Sequence, residues 1–295
     1  MVIIGGGPAG LSAGLMLGRC GREVLICDNE QYRNHHSNAM HGFLSRDGIH
    51  PAELRRIARE QLLTYPSISI KKINIIEAMQ SPNGFHLLSD TQIKIQTKKL
   101  LLATGLRDKW PEINGAKEMY GKSIFHCPYC DAWEVRNQPF AVFAKGNKKA
   151  GDLALELKVW SQDIIICSNG PSELSSTYKE RLKKENIDIY ERKIVNLEGS
   201  NGFLKNIVLD SGEKIARSVI FFNTHSPQKS DLSLQLGCQF TEDGGVSVGK
   251  YECTNIPGLF VAGDASKDVL HAIVAASEGV GAAVAINVQL SKIRN

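Results

Sequence analysis

The sequence predicts an α/β protein of two Rossmann-like three-layer domains, the first discontinuous and the second inserted into it. Three observations carry this prediction. A short apolar strand, Val2 to Ile4, runs straight into Gly5-Gly6-Gly7-Pro8-Ala9-Gly10 and a helical pattern. Near Pro111 a strand–helix–strand pattern begins again. A last buried-type strand, Leu259 to Ala262, meets Gly263-Asp264 ahead of a long closing helix, which returns the chain to its first domain. The expected bounds are 1–112 with 239–295 for the first domain and 113–238 for the insert.

The first helix is expected from Leu11 to about Gly18, and a second strand from Glu23 to Cys27, ending at Asp28. The opening strand is short enough to suggest native residues lost before Met1. A polar, His-rich segment follows, from Gln31 to Asp47. Pro51 to Leu63 reads as an amphipathic helix with proline at its start. Strands are expected near Ile68 to Lys72, Ile75 to Gln80, Gly84 to Ser89 and Ile93 to Thr97, and then Lys99 to Ala103. In the insert, Gln138 to Ala144 is a strand, Lys149 to Trp160 a helix, and Asp163 to Cys167 a strand. Tyr178 to Glu185 is a helix, and short strands run from Ile187 to Phe222. The insert reads as a degenerate copy of the first unit. The closing helix is expected from Ala272 to Leu290.

Composition narrows the function classes. The chain has 295 residues, too many for one comfortable core and suitable for two domains. Hydrophobic content of 42% and charged content of 22% describe a globular protein. The formal charge of +4 is spread without a basic block, which argues against nucleic acid. No membrane span is expected, because the apolar tract from Ala272 to Val288 is interrupted by Ser277, Glu278 and glycines. The N-terminus lacks the basic stretch and cleavage site of a signal peptide. Seven cysteines, five of them scattered, make no disulfide framework and fit a reducing cytoplasm. The scattered five, Cys20, Cys27, Cys167, Cys238 and Cys253, are expected to act as small buried apolar groups.

Gly5-x-Gly7-x-x-Gly10 matches the dinucleotide fingerprint. Its glycines allow a tight turn and a close backbone approach to a pyrophosphate on the helix N-terminus. Asp28 stands eighteen residues after Gly10 at a strand end, where an acid would hold a ribose hydroxyl. Leu102-Ala103-Thr104-Gly105 and Leu259 to Asp264 each end a buried strand in glycine. Asp264 would accept bonds from the ribityl or pyrophosphate part of FAD, or cap the last helix. The start of that helix, near Ala272 and Ile273, would aim N–H groups at a reduced flavin.

Cys127-Pro128-Tyr129-Cys130-Asp131 is a potential two-electron store with an acid beside it. Zinc would need more ligands, and no second CxxC or suitably spaced histidine pair exists, so no metal is expected. A static disulfide or two buried thiols remain as alternatives. If the pair opens a helix, the dipole would favour a thiolate.

With these motifs the chain resembles the thioredoxin reductase-like family of pyridine-nucleotide-disulfide oxidoreductases over nearly its whole length. The resemblance implies FAD as cofactor, held by Gly5, Gly7, Pro8, Ala9, Gly10, Asp28, Asn29, Ala103, Thr104, Gly105, Gly263, Asp264, Ala272 and Ile273. It implies Cys130 as the thiol facing the flavin, Cys127 as the exchanging thiol and Asp131 as the acid–base residue. It also implies a homodimer. The insert departs from the family at Lys145-Gly146-Asn147-Lys148-Lys149-Ala150-Gly151, which reads as lacking the G-x-G-x-x-G/A spacing, with two lysines where a helix must approach the pyrophosphate closely. The arginine cluster for a 2′-phosphate is missing after the next strand, so NADPH lacks its usual site. Lys148 and Lys149 would attract phosphate, or simply be a solvated pair. Relatives with HCPYC-D and a similar His41-Gly42-Phe43-Leu44 segment include dithiol oxidases, and others are atypical thioredoxin reductases. In such a protein His41 or His126 would act as base for a substrate thiol, or serve structure alone. The expected partner is a dithiol or disulfide small molecule or a thioredoxin-like protein. The sequence reads as an FAD-dependent dithiol–disulfide oxidoreductase working without NADPH. A nicotinamide-driven or other-donor disulfide reductase is the alternative, and a flavin redox sensor without turnover a third.

Overall fold

The computed structural model describes residues 1–109, 112–223, 226–266 and 269–292. The chain forms two compact units. Met1–His35, Gly42–Arg107 and Ser226–Asn295 build the first, and His36–His41 with Asp108–His225 build the second.

The first unit holds a five-stranded sheet in the order Leu259–Val261, Leu100–Leu102, Val2–Ile4, Val24–Asp28, Ile68–Lys72. Every pairing in it is parallel. Its strands are almost wholly apolar because both faces are covered. Successive side chains point to opposite faces. Ile3, Leu101 and Phe260 therefore pack with Leu11, Leu17, Ala275 and Ile286 of the helices. Val2, Ile4, Leu100 and Leu102 pack the other way, against Phe85 and Leu87 of an antiparallel meander. That meander is Ile75–Ser81, Gly84–Ser89 and Lys94–Thr97.

The second unit repeats the plan. Its parallel sheet runs Asp188–Tyr190, Ile164–Cys167, Phe140–Phe143, Val219–Phe222, Ile124–Phe125. An antiparallel meander, Ile194–Ser200, Phe203–Leu209 and Lys214–Ala216, is again inserted before the fourth strand in sequence order of the Rossmann-like run. The copied order puts Ile124–Phe125 at the sheet edge that Leu259–Val261 occupies in the first unit. Leu259–Val261 leads to Gly263-Asp264, and Ile124–Phe125 leads to Cys127.

Several expectations need correction. The segment after 225 belongs to the first unit, not to an insert ending at 238, because Leu232, Leu236 and Cys238 join the core around Val2 and Leu100. The insert starts at Asp108 and not at 113, and His36–His41 clusters with it. The pattern restart near Pro111 lies outside the described residues. The helix expected from Lys149 to Trp160 is a π-turn, Asn147–Asp152, followed by a short α-helix, Leu153–Leu157. Of the scattered cysteines, Cys27, Cys167 and Cys238 are buried and Cys253 is half-buried, but Cys20 is exposed.

The closing helix, Ala272–Lys292, is 21 residues long and apolar enough to cross a membrane by length and composition. This corrects the expectation that the glycines and Glu278 disqualify it. In the structure those small residues serve packing. Ala275, Gly279, Ala282, Ala283 and Ile286 form its buried face. A Cβ on Gly279 would lie 2.1 Å from the Ala9 carbonyl oxygen, so the closing helix touches the backbone of the opening helix, Pro8–Arg19.

Candidate functional site

In the first unit the loop after Val2–Ile4 is shaped by its glycines. Gly5 has φ +111°, and a Cβ on Gly10 would sit 1.9 Å from the Gly5 carbonyl oxygen. The opening helix starts at Gly7 and Pro8 with no side-chain cap. Its first-turn N–H groups thus have no side chain filling the place of an anion. Beside Gly7 and Gly105 an added Cβ would meet nothing within 4 Å, so both turns are open. Ala103 N–H donates to the Ile4 carbonyl (2.8 Å), which holds the Ala103-Thr104-Gly105 turn next to the first loop.

Asp28 ends its strand nearly fully buried, at 3% exposure. Its carboxylate accepts from Arg59 (2.5 Å), from the Tyr32 hydroxyl and from the Glu30 N–H (3.1 Å). Burial and the Asp28 carboxylate push the Tyr32 phenol well above its ordinary range. The Arg55 guanidinium lies 3.7 Å over the Tyr32 ring. Asn29 bonds Asn74 (3.0 Å). Asp264 pairs with Arg33 at 2.9 Å, and Gly263 N–H donates to Glu278 at 2.6 Å. Ala272 opens the closing helix. Ile273 lines a cleft of about 550 Å³ with Ser277, Glu278, Val246 and Ser266.

These residues fit a flavin dinucleotide on two structural grounds. The uncapped helix start and the two open turns form a cradle. Gln228 adds an orphaned acceptor: it donates to Gly244 and Ala265 carbonyls, while its Oε1 is buried with no hydrogen-bond partner among the described residues. Gln228 bridges Leu106, next to Gly105.

In the second unit Cys127 and Cys130 are joined as a disulfide, with Cα atoms 5.3 Å apart. Cys127 precedes a single helical turn, Pro128–Asp131. The macrodipole of one turn is too small to carry the thiolate argument made from sequence. The acid beside the pair is another matter. Burial, helped by the Glu134 carboxylate and opposed by His41, pushes Asp131 up to about 7. His41 lies 3.5 Å from Glu134. An acid that titrates at the working pH can both give and take a proton. His126 leads directly into Cys127, and its ring stacks on Tyr120 and tilts against Phe222.

The degenerate fingerprint lies at the end of Phe140–Phe143. Gly146 and Gly151 stand at the first and third places of the triplet, and Lys148 stands at the second, where a backbone must approach a pyrophosphate. Gly146 is open, with φ +80°. The Tyr178 ring fills the space at Gly151, 2.5 Å from an added Cβ, and its hydroxyl bonds Asp152 (2.7 Å). Lys145 pairs with Glu173 at 3.7 Å. Glu191, at the end of the next strand pair, accepts from both the Ser172 N–H (3.0 Å) and its hydroxyl (2.5 Å).

Residues 1–279 match the pyridine nucleotide-disulphide oxidoreductase family. The chain belongs to that family. This oxidoreductase is 32% identical to a protein of Arthroderma benhamiae described as a probable thioredoxin reductase, over 99% of this chain and 80% of the relative. Its fold is similar to that of TrxB from Bacillus anthracis, with TM-score 0.92, 33% identity and coverage of 100% and 99% of the two chains. It is equally similar to HlmI, with TM-score 0.92, 30% identity and coverage of 99% and 92%. The family uses flavin and pyridine nucleotide, and this member is a thioredoxin reductase-like flavoprotein enzyme acting on sulfur groups.

Sequence reasoning missed Arg59, Tyr32, Gln228, Asp108, Tyr120 and Glu278. Arg59 had a signal: Arg55 and Arg59 are one turn apart on Pro51–Leu63 and so share a face. Glu278 had another, as the one acid inside the apolar run Ala272 to Val288. The other partners are brought together by tertiary folding and left no local pattern.

Proposed function

We propose that this protein is an FAD-dependent dithiol–disulfide oxidoreductase that moves two electrons from a substrate dithiol to Cys127–Cys130 and on to FAD, without NADPH. The observation that carries the reading is the closed Cys127–Cys130 pair with the Asp131 carboxyl held at about 7 in the same turn. Lys148 in the second glycine position and the Tyr178 ring against Gly151 support the nucleotide-independent half.

Gly5, Gly7, Gly10, Ala103 to Gly105, Gly263 and Asp264 would hold FAD, which supplies a two-electron acceptor when bound. Asp28 and Asn29 would reach its ribose, and Ala272 with Ile273 its ring system. A substrate thiol gives its proton to His126 and attacks Cys127. The Cys127–Cys130 bond breaks, and the Cys130 sulfur leaves as thiolate. The second substrate thiol gives its proton to Asp131 and attacks the mixed disulfide. The substrate disulfide closes and Cys127 is released, so two electrons have passed to the cysteine pair. The favoured partner is a small dithiol.

Anaerobic mixing of the purified yellow protein with NADPH, NADH or a dithiol tests this. Bleaching by dithiols and not by nucleotides is expected, and Cys130→Ser should abolish it. Rapid bleaching by NADPH would sink the nucleotide-independent reading. It would favour reverse flow toward a thioredoxin-like protein, the reading suggested by the name of the Arthroderma relative.

A further inference from the structure

Resting on the reading that a small dithiol reduces Cys127–Cys130, we infer that Tyr129 and Trp133 form the face on which that substrate docks. The substrate carries its two thiols on a planar, uncharged, apolar body.

The face follows from helical phase. After the turn Pro128–Asp131 the Ala132 N–H donates to the Pro128 carbonyl (2.8 Å), and Ala132 keeps a helical backbone. Residues four apart on such a turn share a side. Pro128 and Ala132 are one such pair. Both are buried, Ala132 in the core with Phe125 and Phe140. Tyr129 and Trp133, one place further on, are the next pair, and they stand 64% and 63% exposed. Tyr129 lies between the two cysteines in the chain, so this face is continuous with the disulfide.

Both rings are held in place. The Tyr129 and Trp160 rings meet edge to face, with centroids 5.8 Å apart and planes at 89°. The Tyr129 hydroxyl donates to the Glu156 carboxylate. The Arg136 guanidinium lies 4.2 Å from the centre of the Trp133 ring and donates to the Trp133 carbonyl (2.7 Å). Rings already fixed lose little freedom when a ligand covers them.

Area and charge decide between occupants. Two aromatic side chains offer about 150–250 Å² each, well under the roughly 800 Å² that one partner gives to a stable protein interface. A flat molecule of one or two rings matches that area. Arg136 brings a positive charge, and Glu134 and Glu156 bring negative ones, so the mixed signs favour an uncharged body.

The test compares how fast 1,2-benzenedimethanethiol and dithiothreitol, each in excess and without oxygen, open the Cys127–Cys130 bond of the flavin-loaded protein. In each opening the dithiol loses two protons and closes its own S–S bond, and the cysteine pair gains the two electrons. Quenching with N-ethylmaleimide and mass spectrometry count the freed thiols without reading the flavin. Dividing each rate by the same dithiol's rate on oxidised glutathione removes intrinsic reactivity. The corrected ratio should favour the aromatic dithiol about 10-fold or more, the product of two ring contacts worth roughly 2- to 10-fold each. Tyr129→Ala and Trp133→Ala should each cut the ratio by about one such contact, and Tyr129→Phe and Trp133→Phe, which keep a ring, should restore most of it. Trp133→Leu takes the place of Trp133→Ala if the alanine variant folds poorly by circular dichroism. A wild-type ratio near one, or a ratio that the ring-deleting variants leave unchanged, would overturn the inference. So would reduced thioredoxin opening the pair faster than either small dithiol, which would give the face to a protein partner. A ring-dependent aromatic preference beside a flavin that no dithiol bleaches would overturn the proposed route to FAD and leave the docking face standing.

Discussion

Asp131→Asn should make the protein more stable and less active, and the stability gain should depend on pH. The native carboxyl titrates at about 7, against 3.8 for a free aspartate. Below 3.8 both states are protonated and nothing is lost. As pH rises the unfolded chain releases its proton first, so native stability falls until the pH passes about 7. At about 1.36 kcal/mol per tenfold change in proton affinity, the ceiling of this loss is about 4 kcal/mol. The carboxylate keeps some contact with solvent, which lowers the expected gain for asparagine to about 1–2 kcal/mol at pH 8. Near pH 4 the gain should be close to zero. Urea melts at pH 4, 6 and 8, followed by tryptophan fluorescence, measure it. Trp133 and Trp160 fall in the second unit, so they report the unit that holds the substitution. The same variant should reduce Cys127–Cys130 about 10- to 100-fold more slowly with a dithiol at pH 7. A gain equal at pH 4 and pH 8, or a loss at pH 8, would refute the argument, because the native carboxyl would then not be held protonated by burial.

Three further outcomes follow from contacts in the first unit. Gly10→Ala puts a methyl group 1.9 Å from the Gly5 carbonyl oxygen, so the protein should purify without flavin absorbance. Arg59→Leu leaves the buried Asp28 carboxylate with Tyr32 as its side-chain partner; the expected cost is about 2 kcal/mol in denaturant melts, below the roughly 3–5 of a fully broken buried pair. Gly279→Ala pushes the closing helix from Ala9 and should cost about 1–3 kcal/mol as overpacking, seen as a lower melting temperature with helix content kept.

Much of the architecture was legible because it is written in short-range patterns. Ile68–Lys72, Gly84–Ser89 and Pro51–Leu63 fall where alternation, punctuation and the N1 proline put them. The Gly5 loop and the Cys127 pair were legible because backbone approach and disulfide closure demand particular residues at particular spacings. What escaped was of two kinds. Two-residue Ile124–Phe125 and four-residue Pro128–Asp131 are too short to show a period. The bound at 238 failed because Leu232 and Leu236 look the same in either core, and only packing assigns them. The partners of the site residues, Arg33 for Asp264 and Tyr120 for His126, are set by folding alone and carry no spacing signal.

The small-residue seam between the opening and closing helices sets an order of assembly. Ala9, in the first helix, meets Gly279, in the last, and Ile3 shares a core with Phe260 and Ile286. During synthesis the first unit thus cannot complete its sheet or its helix layer until Leu259–Val261 and Ala272–Lys292 have left the ribosome. The second unit is close to one continuous run, Asp108–His225, and has nearly all of its strands much earlier. The dithiol half of the enzyme therefore folds while the nucleotide cradle is still missing its final strand and helix. Cofactor loading becomes a step that follows synthesis of the closing helix.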